Sequence, residues 1–159
     1  MLLPRLLHAL SHSLEDQAVF TLLEQNRYTQ PHGLTLSPDD AHLLLAVREQ
    51  ALGHYDRVEI GVGAAAALIE VFAASVHMEA DSFAGTLAEL LELFYAIKSD
   101  TEDRIGDLVL IEAMKERFDG ECGGAIELLR GSMEEYASRF RSGLTPGEES
   151  EDEEDAYER

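Results

Sequence analysis

The sequence predicts an all-α protein, and three observations carry that prediction. Apolar residues recur at three- and four-residue spacing along most of the chain. Helix-start and helix-stop residues fall where those periodic stretches begin and end. Strand-like alternation is confined to residues 57–62, where Val58, Ile60 and Val62 alternate with Arg57 and Glu59. A lone strand has no sheet to join, so this segment reads as an extended connector. The expected architecture is a compact bundle of about five to seven helices around an alanine-rich central helix. A single helical domain over residues 1–143 is expected, followed by a disordered acidic tail at 144–159.

The elements follow in order. Leu2, Leu3, Leu6, Leu7 and Leu10 make a first short stripe. Ser13 is placed as the cap of a second helix, which carries Leu14, Ala18, Val19, Leu22 and Leu23 on one face. Residues 28–36 contain Pro31 and Gly33 and read as a loop. Ser37-Pro38-Asp39-Asp40 is the clearest helix start. Serine suits the N-cap, proline suits the first helical position, and the dipole favours two aspartates in the first turn. Ala41, Leu44, Leu45, Arg48, Leu52 and Tyr55 then keep helical spacing. After a break at 53–63, residues 64–76 form the alanine-rich helix, apolar nearly all round as a central helix should be. Asp81 is placed as the next cap, ahead of the strongest stripe: Phe83, Leu87, Leu90, Leu91, Phe94 and Ile97. Leu108, Ile111, Lys115 and Phe118 mark a further helix ending before Gly120. Ala125, Leu129, Met133, Tyr136 and Phe140 mark the last, and Gly143 and Pro146 end the fold.

Composition narrows the class of protein. A chain of 159 residues is most simply one domain. At that length roughly 68–70% of the unfolded surface can be buried, so no staple is needed. The lone cysteine, Cys122, rules out an intrachain disulfide and points to a reducing compartment, the cytoplasm. Pro4, Arg5 and His8 interrupt the apolar start, so no signal peptide is expected. The apolar stretch 60–76 contains Glu70 and much alanine, too weakly hydrophobic for a membrane span. The net charge is −20, of which residues 148–159 carry −7 and the rest −13. A surface this negative repels nucleic acid and anionic membranes. The expected partner is another protein, basic or apolar-faced.

The richest stretch is Tyr55-Asp56-Arg57-Val58-Glu59-Ile60-Gly61-Val62-Gly63, which runs into Ala64-Ala65-Ala66-Ala67. Two glycines beside smooth alanines read as a close approach of backbones. Arg57 and Glu59 lie on one side of an extended segment, facing the Tyr55 hydroxyl or the charges of Lys98 and Arg48. One reading is a recognition site built by Tyr55, Arg57, Glu59, Tyr95 and Lys98. Arg57 would clamp an anion, Glu59 would act as general base, and the amides of Gly61 and Gly63 would face the anion at a helix N-terminus. The other reading is an Arg–Glu bridge that locks the connector, and structural ion pairs also produce such clusters.

Other constellations are weaker. His8 and His12 share a helix face, but no third ligand or His-Glu-x-x-His signature accompanies them, so no metal is expected. Cys122, in Glu121-Cys122-Gly123-Gly124, stands near a helix start that would lower its pKa, while Glu121 opposes the shift. A reactive thiol there competes with a small buried cysteine at a tight junction. Asp100-Thr101-Glu102-Asp103 lacks calcium-loop spacing and reads as a solvated connection. No cofactor is expected.

Three segments resemble a known grouping. These are Tyr55 to Gly63, Leu90-Leu91-Glu92-Leu93-Phe94-Tyr95-Ala96-Ile97-Lys98, and Met114-Lys115-Glu116-Arg117-Phe118-Asp119-Gly120-Glu121-Cys122-Gly123-Gly124. Together they resemble an uncharacterised bacterial family of unknown function, found mainly in clostridia and their relatives, over about residues 37–143. That pattern has an aromatic residue after Arg-Val-Glu, where this chain has Ile60. The resemblance implies a fold grouping and no catalytic residue. The functional expectation is a helical interaction module or accessory subunit. Two alternatives are an anion-binding domain or small enzyme at Tyr55, Arg57 and Glu59, and an acidic nucleic-acid mimic that binds a basic protein.

Overall fold

The strongest start signal in the sequence forms as read. The Ser37 hydroxyl accepts from the Asp40 amide at 3.0 Å, and the Asp40 carboxylate accepts from the Ser37 amide at 2.9 Å. This reciprocal cap opens helix α3 (Pro38–His54). The computed structural model describes residues 2–143, and the side chains of residues 13–143. The regular structure of the described residues is all helical, with no strand: α1 (Leu2–Glu24), α2 (Asn26–Thr29), α3, α4 (Gly63–Ala73), α5 (Phe83–Asp100), α6 (Asp107–Asp119) and α7 (Ile126–Arg141). The acidic tail at 144–159, the leucine stripe at 2–10 and the His8–His12 pair lie outside the described residues or side chains.

The core has two inner helices. The alanine-rich α4 buries Ala64, Ala65, Leu68, Ile69, Phe72 and Ala73 and touches α1, α2, α5 and α6. Alongside it, α5 buries its whole expected stripe, from Phe83 to Ile97, and packs mainly on α3 and α7. Alanine lets α4 approach its neighbours closely, and α5 fills the remaining space with leucine and phenylalanine. Phe72 meets Phe118 of α6 edge-on, with ring centroids 5.6 Å apart.

Several boundaries differ from the sequence reading. Helix α1 runs unbroken through Ser13, because one interior serine costs only about 0.5 kcal/mol relative to alanine. Residues 28–36 are less of a loop than their proline and glycine suggest. Thr29 ends a helical turn, is fully buried, and donates to the Leu34 carbonyl at 2.7 Å. The Asn26 side chain pairs with both the amide and the carbonyl of Leu36, at 2.8 and 3.0 Å. Asp81 lies in a 3-10 turn, and Ser82 takes the N-cap of α5 without a side-chain bond. Helix α4 ends at Ala73, and the Ser75 hydroxyl just beyond it bonds to Asp119. In α6 the buried face is Leu110, Ile111, Met114 and Phe118, while Leu108 points outward. Two stripes one position apart share Ile111 and Phe118, so spacing alone does not choose between them.

The close approach expected at Gly61 and Gly63 is elsewhere. A Cβ at either would meet nothing within 4 Å; Gly61 is required instead by its φ of +75°. The tight contact is at Gly124, whose φ is +83° and where a Cβ would stand 2.6 Å from Cβ of His77. Gly124→Ala is therefore expected to cost about 2 kcal/mol or more, from left-handed strain and overpacking together. Gly131→Ala, in the exposed middle of α7 with open space around it, should add about 0.5–1 kcal/mol. Urea unfolding of the two variants against the parent measures both signs.

Candidate functional site

The connector between α3 and α4 is held from inside by a residue of α3. Arg48 falls on the buried face of that helix, among Leu44, Leu45 and Leu52. Its guanidinium reaches the two turns of chain that follow. One terminal nitrogen donates to the carbonyls of Glu59 and Gly61, at 3.1 and 2.6 Å. The other donates to the Glu49 carboxylate at 2.8 Å, and Nε lies 3.5 Å from that of Glu59. Five donors in a planar fork suit this task, which a lysine could not perform. Glu59 is held a second time, by the Tyr95 hydroxyl of α5, which donates to its Oε1 at 2.8 Å. Burial, and then the Glu59 charge, push the Tyr95 phenol far above its ordinary range, so it stays a donor.

Arg57 turns inward beside Glu59 but pairs elsewhere. Its guanidinium lies over the Tyr95 ring, 5.8 Å from the centroid, and donates to Asp103 at 2.5 Å. Lys98, buried in the last turn of α5, donates to the Ile105 carbonyl at 2.7 Å. It also pairs with Asp107 at 2.7 Å and with Asp103 at 3.5 Å. Asp103 and its neighbour Glu102 both have left-handed backbones, with φ of +60° and +55°. Desolvation raises the Asp103 pKa, but Arg57 and Lys98 outweigh it and hold the carboxyl below its usual range.

The structure thus brings Arg57, Glu59, Tyr95 and Lys98 to one flank of the bundle, and divides them into two networks. Arg48, Glu59 and Tyr95 form one; Arg57, Asp103, Lys98 and Asp107 form the other. Arg57, the expected anion clamp, already holds a carboxylate of this chain, and so does Lys98. Tyr55 makes an edge contact with the His54 ring at 4.7 Å and stands apart from both networks. Gly61 lends its carbonyl to Arg48, and Gly63 is the first residue of α4. Cys122 is buried, and burial followed by the charge of Glu121 pushes its thiol up. Among the described residues no three His, Cys, Asp or Glu side chains gather to hold a metal, and no helix is long and apolar enough to cross a membrane.

Asp103 and Asp107 were not legible as partners. Arg48 had a signal: a charged residue in the middle of an apolar stripe must find internal partners. The outward face of the connector is the converse. Val58 is 95% exposed and Ile60 99%.

Fold and site together define a small all-helical domain with an internally clamped, apolar-faced connector. The chain belongs to the family of unknown function DUF6323, whose model matches residues 21–146. That match begins well before the segments at which the resemblance was read, and takes in the end of α1 and all of α2. No curated protein matches the chain, and no solved structure does.

Two outcomes follow from this geometry. Arg48→Ala takes the donor from two carbonyls and the counter-charge from the Glu59 carboxylate, and should cost about 3 kcal/mol or more in urea unfolding. The second concerns alkali. The raised Tyr95 pKa gives stability that is complete below about pH 10, the unfolded tyrosine value, and is lost progressively above it. In an alkaline titration followed by tyrosinate absorbance, the Tyr95 phenol should ionise only as the chain unfolds, and Tyr95→Phe should remove that step.

Proposed function

We propose that this chain is a protein-interaction module, an accessory subunit that works in the cytoplasm, and that residues 57–61 form its contact. One observation carries the reading: the connector is built inside out. Its charged residues, Arg57 and Glu59, face the protein, and its apolar residues, Val58 and Ile60, face solvent. Folding alone favours the opposite arrangement. Covering an isoleucine or valine side chain is worth about 1.5–3 kcal/mol, so this ridge gains on association what folding leaves unclaimed. Arg48 and Tyr95 hold the segment beforehand, which lowers the ordering cost of binding. The net charge of −20 favours a basic partner over nucleic acid or an anionic membrane. The single cysteine, buried as a free thiol, agrees with a reducing compartment.

The test is a Val58→Ser, Ile60→Ser double variant of the tagged protein, purified gently from its own cells beside the parent. The variant should unfold within about 0.5 kcal/mol of the parent, since both side chains are solvent-exposed. A stoichiometric protein that accompanies the parent, rebinds it from purified components and is lost from the variant is the expected result. Equal binding to both would remove the connector from the contact. Absence of any stoichiometric protein would overturn the module reading.

A further inference from the structure

A groove of about 820 Å³ runs beside the clamped connector. It is lined by α1, with Leu14 and Ala18, by α3, with Leu45, and by Ile60 and Val62 of the connector. The α1 wall extends from Leu14 to Thr21, roughly 10 Å at 1.5 Å per residue, which is the length of two helical turns. Leu14 is 66% exposed and Ile60 99%, so the edges stand open. A site for a small molecule would enclose its ligand instead.

The charges of the groove select the occupant. Glu15, Glu49 and Glu59 line it, against one permanent cation, Arg48. That guanidinium is already committed to Glu49, Glu59 and two backbone carbonyls. Three carboxylates thus line the groove against one permanent cation; Glu15, 3.4 Å from His42, and Glu49, held on one side by Arg48, both keep more than half of their side chains exposed to solvent. A second copy of the chain brings −20 of its own, and the segment 148–159 brings −7, so neither suits this surface. We infer that the groove receives a basic amphipathic helix of a partner protein. About two turns of it lie between α1 and α3, its apolar residues on Leu14, Ala18, Leu45 and Ile60 and a Lys or Arg against Glu15 and Glu49. The inference rests on the reading of the chain as an interaction module and specifies the chemistry of its partner.

The probe is a short labelled synthetic peptide of leucine and lysine, with leucines at i, i+3, i+4 and i+7, titrated into the full chain by fluorescence anisotropy. A scrambled peptide of the same composition controls for mere charge. Leu14→Ser and Glu15→Lys are the variants, both at exposed positions of α1 and away from Arg48. The patterned peptide should saturate, bind at least tenfold more tightly than the scrambled one, and lose several-fold in affinity with either variant. Equal binding of the two peptides, unchanged binding by the variants, or no saturation would each overturn the inference. So would dodecylamine occupying the groove while the peptide does not, which would make it a small-molecule site. If the peptide fails but a native partner still depends on Val58 and Ile60, the module reading stands and only the helical, basic occupant falls.

Discussion

A single buried guanidinium ties together the parts of this protein that matter for its surface. Taking an arginine out of water costs several kcal/mol unless its donors are met. Arg48 places its two terminal nitrogens on two connector carbonyls and the Glu49 carboxylate, and sets Nε, which makes no hydrogen bond, 3.5 Å from the Glu59 carboxylate. The charge cannot be withdrawn, since arginine stays protonated in proteins. The chain after α3 must therefore bring Glu59 and Gly61 back over the helix it has just left. Gly61 supplies the positive φ that lets the backbone turn into α4 there. Tyr95 then fixes the same carboxylate from α5, so α3, the connector and α5 meet at one oxygen atom of Glu59.

That requirement explains the inverted face of the connector. In an extended segment, neighbouring side chains point to opposite sides. Once Glu59 is drawn inward to Arg48 and Tyr95, and Arg57 inward to Asp103, Val58 and Ile60 have nowhere to go but outward. The exposure of two aliphatic side chains is a geometric consequence of satisfying two buried charges. It comes on a non-helical segment held by Arg48 and Tyr95, where a partner can be read with little ordering cost.

Much of the fold could be read from residue types, and the reasons for the misses are physical. The Ser37–Asp40 cap is local, so four residues suffice to predict it. The α5 stripe is long and unambiguous, and each of its members is buried. Helix α6 was half read: Ile111 and Phe118 are buried as expected, while packing on α4 and α7 takes Leu110 and Met114 in place of Leu108 and Lys115. Ser13 failed because a capping residue type is only a preference, and no backbone constraint enforced it. The site was half legible. Tyr95, Lys98, Arg57 and Glu59 were identified as neighbours and Arg48 as a charge for Glu59 to face, but the pairing of Arg57 was not, because Asp103 reaches it across 46 positions of sequence. The junction at Cys122-Gly123-Gly124 was read as tight, but not the contact of Gly124 with His77, since nothing in a Gly-Gly pair names a distant side chain.

The charge balance and the interior are linked. Lys and Arg number 12 against 32 acids, yet Arg48 and Lys98 are buried and Arg57 is largely enclosed. These three cations are consumed in holding the connector and the turn after α5. Glu59 is largely enclosed, but Asp103, Asp107 and Glu49 keep more than 45% of their side chains exposed, so the solvent sees the acidic side of those bridges. The same bridges that secure the fold thus turn a negative face outward around Val58 and Ile60. An apolar ridge framed by carboxylates repels other acidic chains, including its own copies, and admits a partner that brings both apolar surface and positive charge. Stability and selectivity are in this protein two sides of one set of ion pairs.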